Sequence, residues 1–152
     1  MFLVLAAGCE RGPSLRMVGA PAPDFTVQDS DRRVNLRDLR GKLVVLNFWA
    51  TYCAPCVEEM PSLVRLQKDM GSNITVLAVS QDPDESKYRR FLEIYHIDFL
   101  TVRDPKAKAS TLYGTTGIPE TFIIDRSGVI RRKMIGPVDW SSPEIVEYLK
   151  KL

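Results

Sequence analysis

The sequence predicts an α/β fold: a central mixed β-sheet with helices on both faces. Three observations carry that expectation. Apolar, β-branched runs of strand length at 43–49 and 74–79 alternate with segments whose apolar residues recur at helical spacing. Late in the chain, two strand-like runs sit back to back across a tight turn, which places an antiparallel pair beside the parallel strands. Finally, 152 residues at 45% hydrophobic and 26% charged can bury one core, which excludes a disordered tail, a collagen-like rod and a membrane bundle.

Taken in order, residues 24–28 alternate apolar and polar, as a half-buried strand does. Asp29-Ser30-Asp31 supplies a turn to a second short strand around 34–36, so the domain opens with a β-hairpin extension. Residues 43–49 (LVVLNFW) are nearly all apolar, the pattern of a central strand covered on both faces. A helix follows over 54–69, with Val57, Met60, Leu63, Val64 and Leu66 on one side and charges opposite. Pro61 lies inside it and is expected to kink it. Residues 74–79 form a second buried strand, and 84–95 a helix with Tyr88, Phe91, Leu92 and Tyr95 on one face. A short strand at 99–102 and a short helix at 106–113 come next. Strands at 121–125 and 129–134 are joined by Arg126-Ser127-Gly128. Ser142-Pro143-Glu144 then provides an N-cap, a proline for the first turn and an acid near the dipole's positive end, opening a last helix over 145–152.

The first nine residues, Met1-Phe2-Leu3-Val4-Leu5-Ala6-Ala7-Gly8-Cys9, are apolar and end in small residues and a cysteine, after which the chain turns polar. The run is too short to span a bilayer, which takes about 20 apolar residues. It has the character of a secretory signal and cleavage site. Residues 1–20 are therefore expected to be an export segment, and 21–152 the working domain. Leu5-Ala6-Ala7-Gly8-Cys9 resembles the lipobox of bacterial lipoproteins, which implies lipidation of Cys9 and membrane attachment through the N-terminus. No basic residue precedes the run, so a complete signal would need a positively charged start upstream of Met1. The expected address is extracytoplasmic: the periplasm or the outer face of the cytoplasmic membrane.

The rare residues bound the chemistry. There is one histidine, His96, and there are three cysteines: Cys9, Cys53 and Cys56. A His-Glu-x-x-His zinc site is impossible with one histidine, and three cysteines are too few for a disulfide-stapled scaffold. A net charge of +2 is too balanced to argue for nucleic acid as a partner. Cys53-Ala54-Pro55-Cys56 follows the buried strand and opens the amphipathic helix. Backbone N–H groups and the dipole at a helix N-terminus favour thiolate over thiol, so Cys53 is placed to attack. Pro55 fixes φ in the first turn and holds the two sulfurs in reach. Half of a zinc site lacks its other half here. A c-type haem attachment would need histidine where Val57 stands. A structural disulfide would be strained and easily reduced. Redox exchange outweighs these rivals.

Trp49-Ala50-Thr51-Tyr52-Cys53-Ala54-Pro55-Cys56 resembles the active-site signature of the thioredoxin superfamily, and most nearly its TlpA/ResA branch of exported thiol-disulfide oxidoreductases. Residues 40–49 resemble that branch's lead-in strand, Pro61 its helix proline, and Gly117-Ile118-Pro119-Glu120-Thr121-Phe122 the loop carrying its cis-proline. The resemblance implies a thioredoxin-like fold with a central insertion at about 82–102. It implies a Cys53–Cys56 redox-active disulfide and a substrate groove of Trp49, Tyr52, Pro55, Ile118, Pro119 and Glu120. Ile118 would pair by its backbone with an incoming strand. Glu59, three residues past Cys56 on one helix face, would relay a proton as a third catalytic group. Asn47 stands where thioredoxins keep a buried aspartate and cannot take up a proton, which shifts that duty towards Glu59. Tyr52 replaces the more usual tryptophan. The implied activity is reduction of disulfides in exported proteins, including apocytochrome c during cytochrome c biogenesis. It would be recharged by a membrane thiol donor, with no metal or organic cofactor, in a monomer.

Two other classes compete. Peroxiredoxins share the fold, but a thiol peroxidase of that type needs threonine three residues before its nucleophile, and Ala50 precedes Cys53 by three. A non-catalytic module binding a metal or a partner protein is the third reading, which stoichiometric zinc would favour. His96, between a helix and a strand, reads as a surface or cap residue.

Overall fold

A computed structural model describes residues 17–152. Of the export segment expected over 1–20, residues 1–16, Cys9 included, lie outside the described residues. Eleven elements follow in the expected order: β1 (Thr26–Gln28), β2 (Arg33–Asn35), β3 (Leu43–Trp49), α1 (Ala54–Met70), β4 (Ile74–Ser80), α2 (Glu85–Ile94), β5 (Leu100–Arg103), α3 (Lys108–Leu112), β6 (Glu120–Ile124), β7 (Ile130–Ile135) and α4 (Pro143–Lys150). The sheet order is β5-β4-β3-β6-β7, while β1 and β2 pair as a separate hairpin. β3 runs parallel to β4, and β4 to β5; β6 pairs antiparallel with β3 and with β7.

β3 is central and all seven of its residues are buried, as its composition requires. Alternation divides it between two cores. Leu43, Val45 and Trp49 pack on one face with residues of α1, α2 and α4, such as Leu63, Phe91 and Leu149. Val44, Leu46 and Phe48 pack on the other with Tyr113, Phe25 and Val34, from the α3 end and the hairpin. Each such side chain contributes roughly 1.5–3 kcal/mol by burial.

The hairpin closes the β5 edge, where Asp29 Oδ2 accepts the Arg103 N–H at 3.0 Å. A salt bridge from Arg89 of α2 to Asp31 joins the hairpin to that helix, Arg89 also meets Glu85 one turn back on α2, and Arg103 of β5 meets Glu85 at 3.1 Å. The segment expected as an insertion forms α2 and most of β5. α2 begins at Asp84, whose Oδ1 accepts the Ser86 and Lys87 N–H groups. It ends with His96 at φ 50°, while Ile97 N–H donates to the Leu92 carbonyl at 2.9 Å. His96 is thus a left-handed helix cap.

Two boundaries differ from expectation. The short helix is confined to Lys108–Leu112, because Ala107 is left-handed at φ 50° and the Asp104 carboxylate takes the Ala109 N–H at 2.8 Å. The domain's contacts start before residue 21: Met17 packs against the second core, and Gly19 N–H donates to the Ile130 carbonyl at 2.7 Å. Those contacts occupy the outer edge at the start of β7, which the hairpin between β6 and β7 leaves open.

One consequence of the topology places the site. β3 and β6 are antiparallel with Phe48 opposite Glu120, so the C-terminal end of β3 meets the N-terminal end of β6. The turn leading to Cys53 and the loop carrying Pro119 therefore converge at one end of the sheet.

Candidate active site

Cys53 is the N-cap of α1, with extended backbone, and its Sγ accepts the Cys56 N–H at 3.3 Å. Pro55 stands in the first turn, where a missing N–H costs nothing. The two cysteines are joined as a disulfide, so the structure shows the oxidised couple. Cys53 is 9% exposed and Cys56 is completely buried. An incoming sulfur therefore reaches Cys53 first, and Cys56 can act only from within.

The Ile118–Pro119 bond is cis, and the Ile118 carbonyl oxygen lies 3.6 Å from Cys53 Sγ. In the dithiol form that carbonyl can accept from the Cys53 thiol. Gly136 N–H donates to the Pro119 carbonyl at 3.0 Å and ties the loop to the end of β7. Tyr52, 67% exposed, and the exposed Pro55 stand beside Cys53 on the open side.

Behind Cys56 the site is closed. Glu59, one turn along α1, is 3% exposed and accepts three hydrogen bonds: from Asn47 Nδ2 at 2.7 Å, Val138 N–H at 3.0 Å and Trp140 Nε1 at 3.3 Å. Asn47 Nδ2 also donates to Thr121 Oγ1 at 2.9 Å, and its buried Oδ1 has no hydrogen-bond partner among the described residues. Burial pushes the Glu59 carboxyl above its ordinary value near 4.5, and the three donors only partly offset this. Among the described residues, none of its hydrogen-bond partners is a cation. Glu59 also lines a surface groove of about 270 Å³, with Glu58, Arg65, Val138 and Asp139. That groove gives a buried acid a route to solvent.

Two expected substrate contacts sit elsewhere. Trp49 is fully buried, its ring 5.1 Å from that of Phe91 and 6.2 Å from that of Tyr88, so it supports the turn from beneath. Glu120 shares a sheet face with its partner Phe48, whereas Thr121 and Asn47 face α1. Its carboxylate is therefore on the opposite face from Glu59, 2% exposed and 2.5 Å from Lys133 Nζ. Strand parity decides the position of Glu120, whereas Trp49 lies on the α1 face and is covered by α2.

Asp82 is a residue of the site that inspection of the sequence misses. Only 2% exposed, its carboxylate accepts the Thr51 N–H at 3.0 Å, the Thr51 hydroxyl at 2.5 Å and the Ser80 hydroxyl at 2.6 Å. It pins the turn two residues before Cys53 to the end of β4. A Ser-x-Asp directly after a buried strand was the available signal. Trp140, 81 residues from Glu59, left none.

Three comparisons agree with this geometry. Residues 18–133 match the AhpC/TSA family. The chain is 38% identical over 122 residues to the thioredoxin-like protein YneN of Bacillus subtilis, covering 78% of this chain and 71% of that one. It is 33% identical over 137 residues to the thiol-disulfide oxidoreductase ResA of Bacillus anthracis, covering 89% and 78%. A thiol:disulfide interchange protein of the thioredoxin family from Chlorobium tepidum superposes with a TM-score of 0.73 at 28% identity, covering 85% of this chain and 94% of that one. With its Cys53–Cys56 pair at a helix start, its cis-proline loop against the outer sulfur and its mixed sheet, the chain belongs to the AhpC/TSA family and has thiol-disulfide oxidoreductases among its relatives.

Proposed function

We propose that this protein is a thiol-disulfide oxidoreductase that reduces disulfides of exported proteins. The observation that carries the reading is the unequal pair: an accessible Cys53 at the helix N-terminus and a sealed Cys56 beside a buried acid. The Cys53 thiolate attacks one sulfur of a target disulfide, and the other target sulfur leaves as a thiolate. Cys56 gives its proton to Glu59 and attacks Cys53 Sγ. The mixed disulfide breaks, the second target sulfur leaves, and the Cys53–Cys56 disulfide forms. Two electrons have moved from the pair to the target. A thiol donor in the membrane recharges the pair by the reverse exchange.

Apocytochrome c before haem attachment is the substrate the TlpA/ResA resemblance favours. The apolar run ending at Cys9 supports an extracytoplasmic address with a lipid anchor. Among the described residues no helix is long and apolar enough to cross a membrane.

The test is a pair of variants and a potential. Cys53→Ser is expected to lose all reduction of a protein disulfide, and Cys56→Ser to accumulate a mixed disulfide visible on non-reducing gels. Retained activity in Cys53→Ser overturns the reading. Cys-x-x-Cys couples on this fold run from about −270 mV to about −120 mV, and a value near the upper end would make the protein an oxidant of thiols instead.

A further inference from the structure

The buried Glu120–Lys133 pair has no part in the exchange just described, and it sits one residue from Pro119. Lys133 and Glu120 side chains are 5% and 2% exposed, and Lys133 Nζ also lies 5.2 Å from the centre of the Phe122 ring. Burying two charges is costly, and an apolar pair of similar volume fills such a place at no loss of stability. Its presence at the base of one particular loop therefore asks for a reason. The same Glu120 oxygen that meets Lys133 also accepts the Thr115 hydroxyl at 3.2 Å. That hydrogen bond is a chord across the loop that presents Ile118 and Pro119. On the other flank, Gly136 N–H holds the Pro119 carbonyl, and Gly136 follows β7, the strand that carries Lys133.

We propose that Lys133, Glu120 and Thr115 form a positioning staple that holds the Ile118–Pro119 loop at the distance a substrate strand needs. Glu120 thus acts on the site from behind the sheet and never touches the substrate. Lys133 fixes the carboxylate, the carboxylate fixes Thr115, and the loop between them keeps the Ile118 backbone in place beside Cys53. The staple serves substrates that pair with the loop backbone, meaning disulfides within an extended polypeptide. A small aromatic disulfide, which needs only the Cys53 sulfur, does not depend on it. The inference rests on the oxidoreductase reading above.

The test uses the dithiol form of the full chain in single turnovers against two probes: a peptide carrying an intramolecular Cys-x-x-Cys disulfide, and 5,5′-dithiobis(2-nitrobenzoate). Lys133→Met alone leaves a bare buried carboxylate and risks unfolding, so the informative variant is the double replacement Glu120→Gln with Lys133→Met, with Thr115→Val as an independent cut of the chord. Both are expected to raise the half-saturating peptide concentration about tenfold, the scale of a modest misplacement of reacting groups. The maximal rate and the rate with the aromatic disulfide should stay within about twofold. Lys133→Arg, which keeps the charge facing Glu120, should retain peptide handling. Unchanged peptide kinetics, or an equal fall with both probes, overturns the staple. If the unaltered dithiol protein reduces neither probe, the oxidoreductase reading fails and takes the staple with it, a result distinct from either of those.

Discussion

Glu59 and Glu120 are both glutamates buried to within a few per cent, on opposite faces of one sheet, and their surroundings make them different chemical objects. Glu120 faces an ammonium at 2.5 Å, so its charge is balanced where it stands. Glu59 faces an amide, a backbone N–H and an indole N–H, all neutral donors, and burial pushes its proton affinity up. A paired charge holds structure; an unpaired, hydrogen-bonded one has its proton affinity raised by burial and is suited to taking up a proton. Burial alone therefore says nothing about role: the partners do.

The largest expected effect breaks the paired side. Lys133→Met should cost about 3–5 kcal/mol by stranding the Glu120 charge, read as a lowered midpoint in chemical denaturation, and the double variant with Glu120→Gln should recover most of it. Destabilisation by the double variant as large as by the single one would show that the charges are not coupled.

Next comes the unpaired side. Glu59 accepts a proton from Cys56 only when ionised, so the rate of resolving the mixed disulfide should rise with pH through the Glu59 titration. Glu59→Gln should flatten that profile and slow resolution by about 10²-fold, the usual scale of a positioned acid–base group. Stopped-flow kinetics of the released target thiol would measure both. A pH profile that survives Glu59→Gln would assign the proton to another group.

The same titration carries a stability signature of opposite sign to an ordinary ion-paired carboxylate. Because the folded-state affinity is raised, the folded protein binds more protons than the unfolded chain between the ordinary value near 4.5 and the raised one. Stability should fall as pH rises through that window, and Glu59→Gln should remove the fall. Thermal melts across the window would show it.

The smallest effect lies away from both acids. His96 holds φ 50° at the end of α2, a conformation that suits glycine. His96→Gly should be neutral to stabilising by up to about 1 kcal/mol in melting experiments, without touching the redox chemistry.

Much of this was legible along the chain. The order of elements, the all-buried β3, the cysteine pair at a helix start, the helix after β4 and the closing helix follow from composition and period, which are local quantities. Glu59 was legible too, because a spacing of three on a helix sets its face. Glu120 and Trp49 sit apart from the groove for different reasons. Adjacent strand residues face opposite ways, so proximity to Pro119 does not set the face Glu120 joins, whereas Trp49 shares the α1 face and is covered by Phe91 and Tyr88 of α2. Asp82 and Trp140 reach the residues they hold, Thr51 and Glu59, from 31 and 81 positions away, and Lys133 reaches Glu120 from the neighbouring strand.

Short-range physics wrote the nucleophile into the sequence: a cysteine at the N-terminus of a helix has its reactivity shaped by the backbone of the next turn, wherever that helix is packed. The proton partner and the loop support are of another kind. A carboxylate's affinity for protons depends on whether an ammonium, an amide or nothing lies within about 3 Å of it. Only the packing of β3, β6, β7 and the loop before α4 decides that, because those neighbours are brought together by the fold and not by the order of residues.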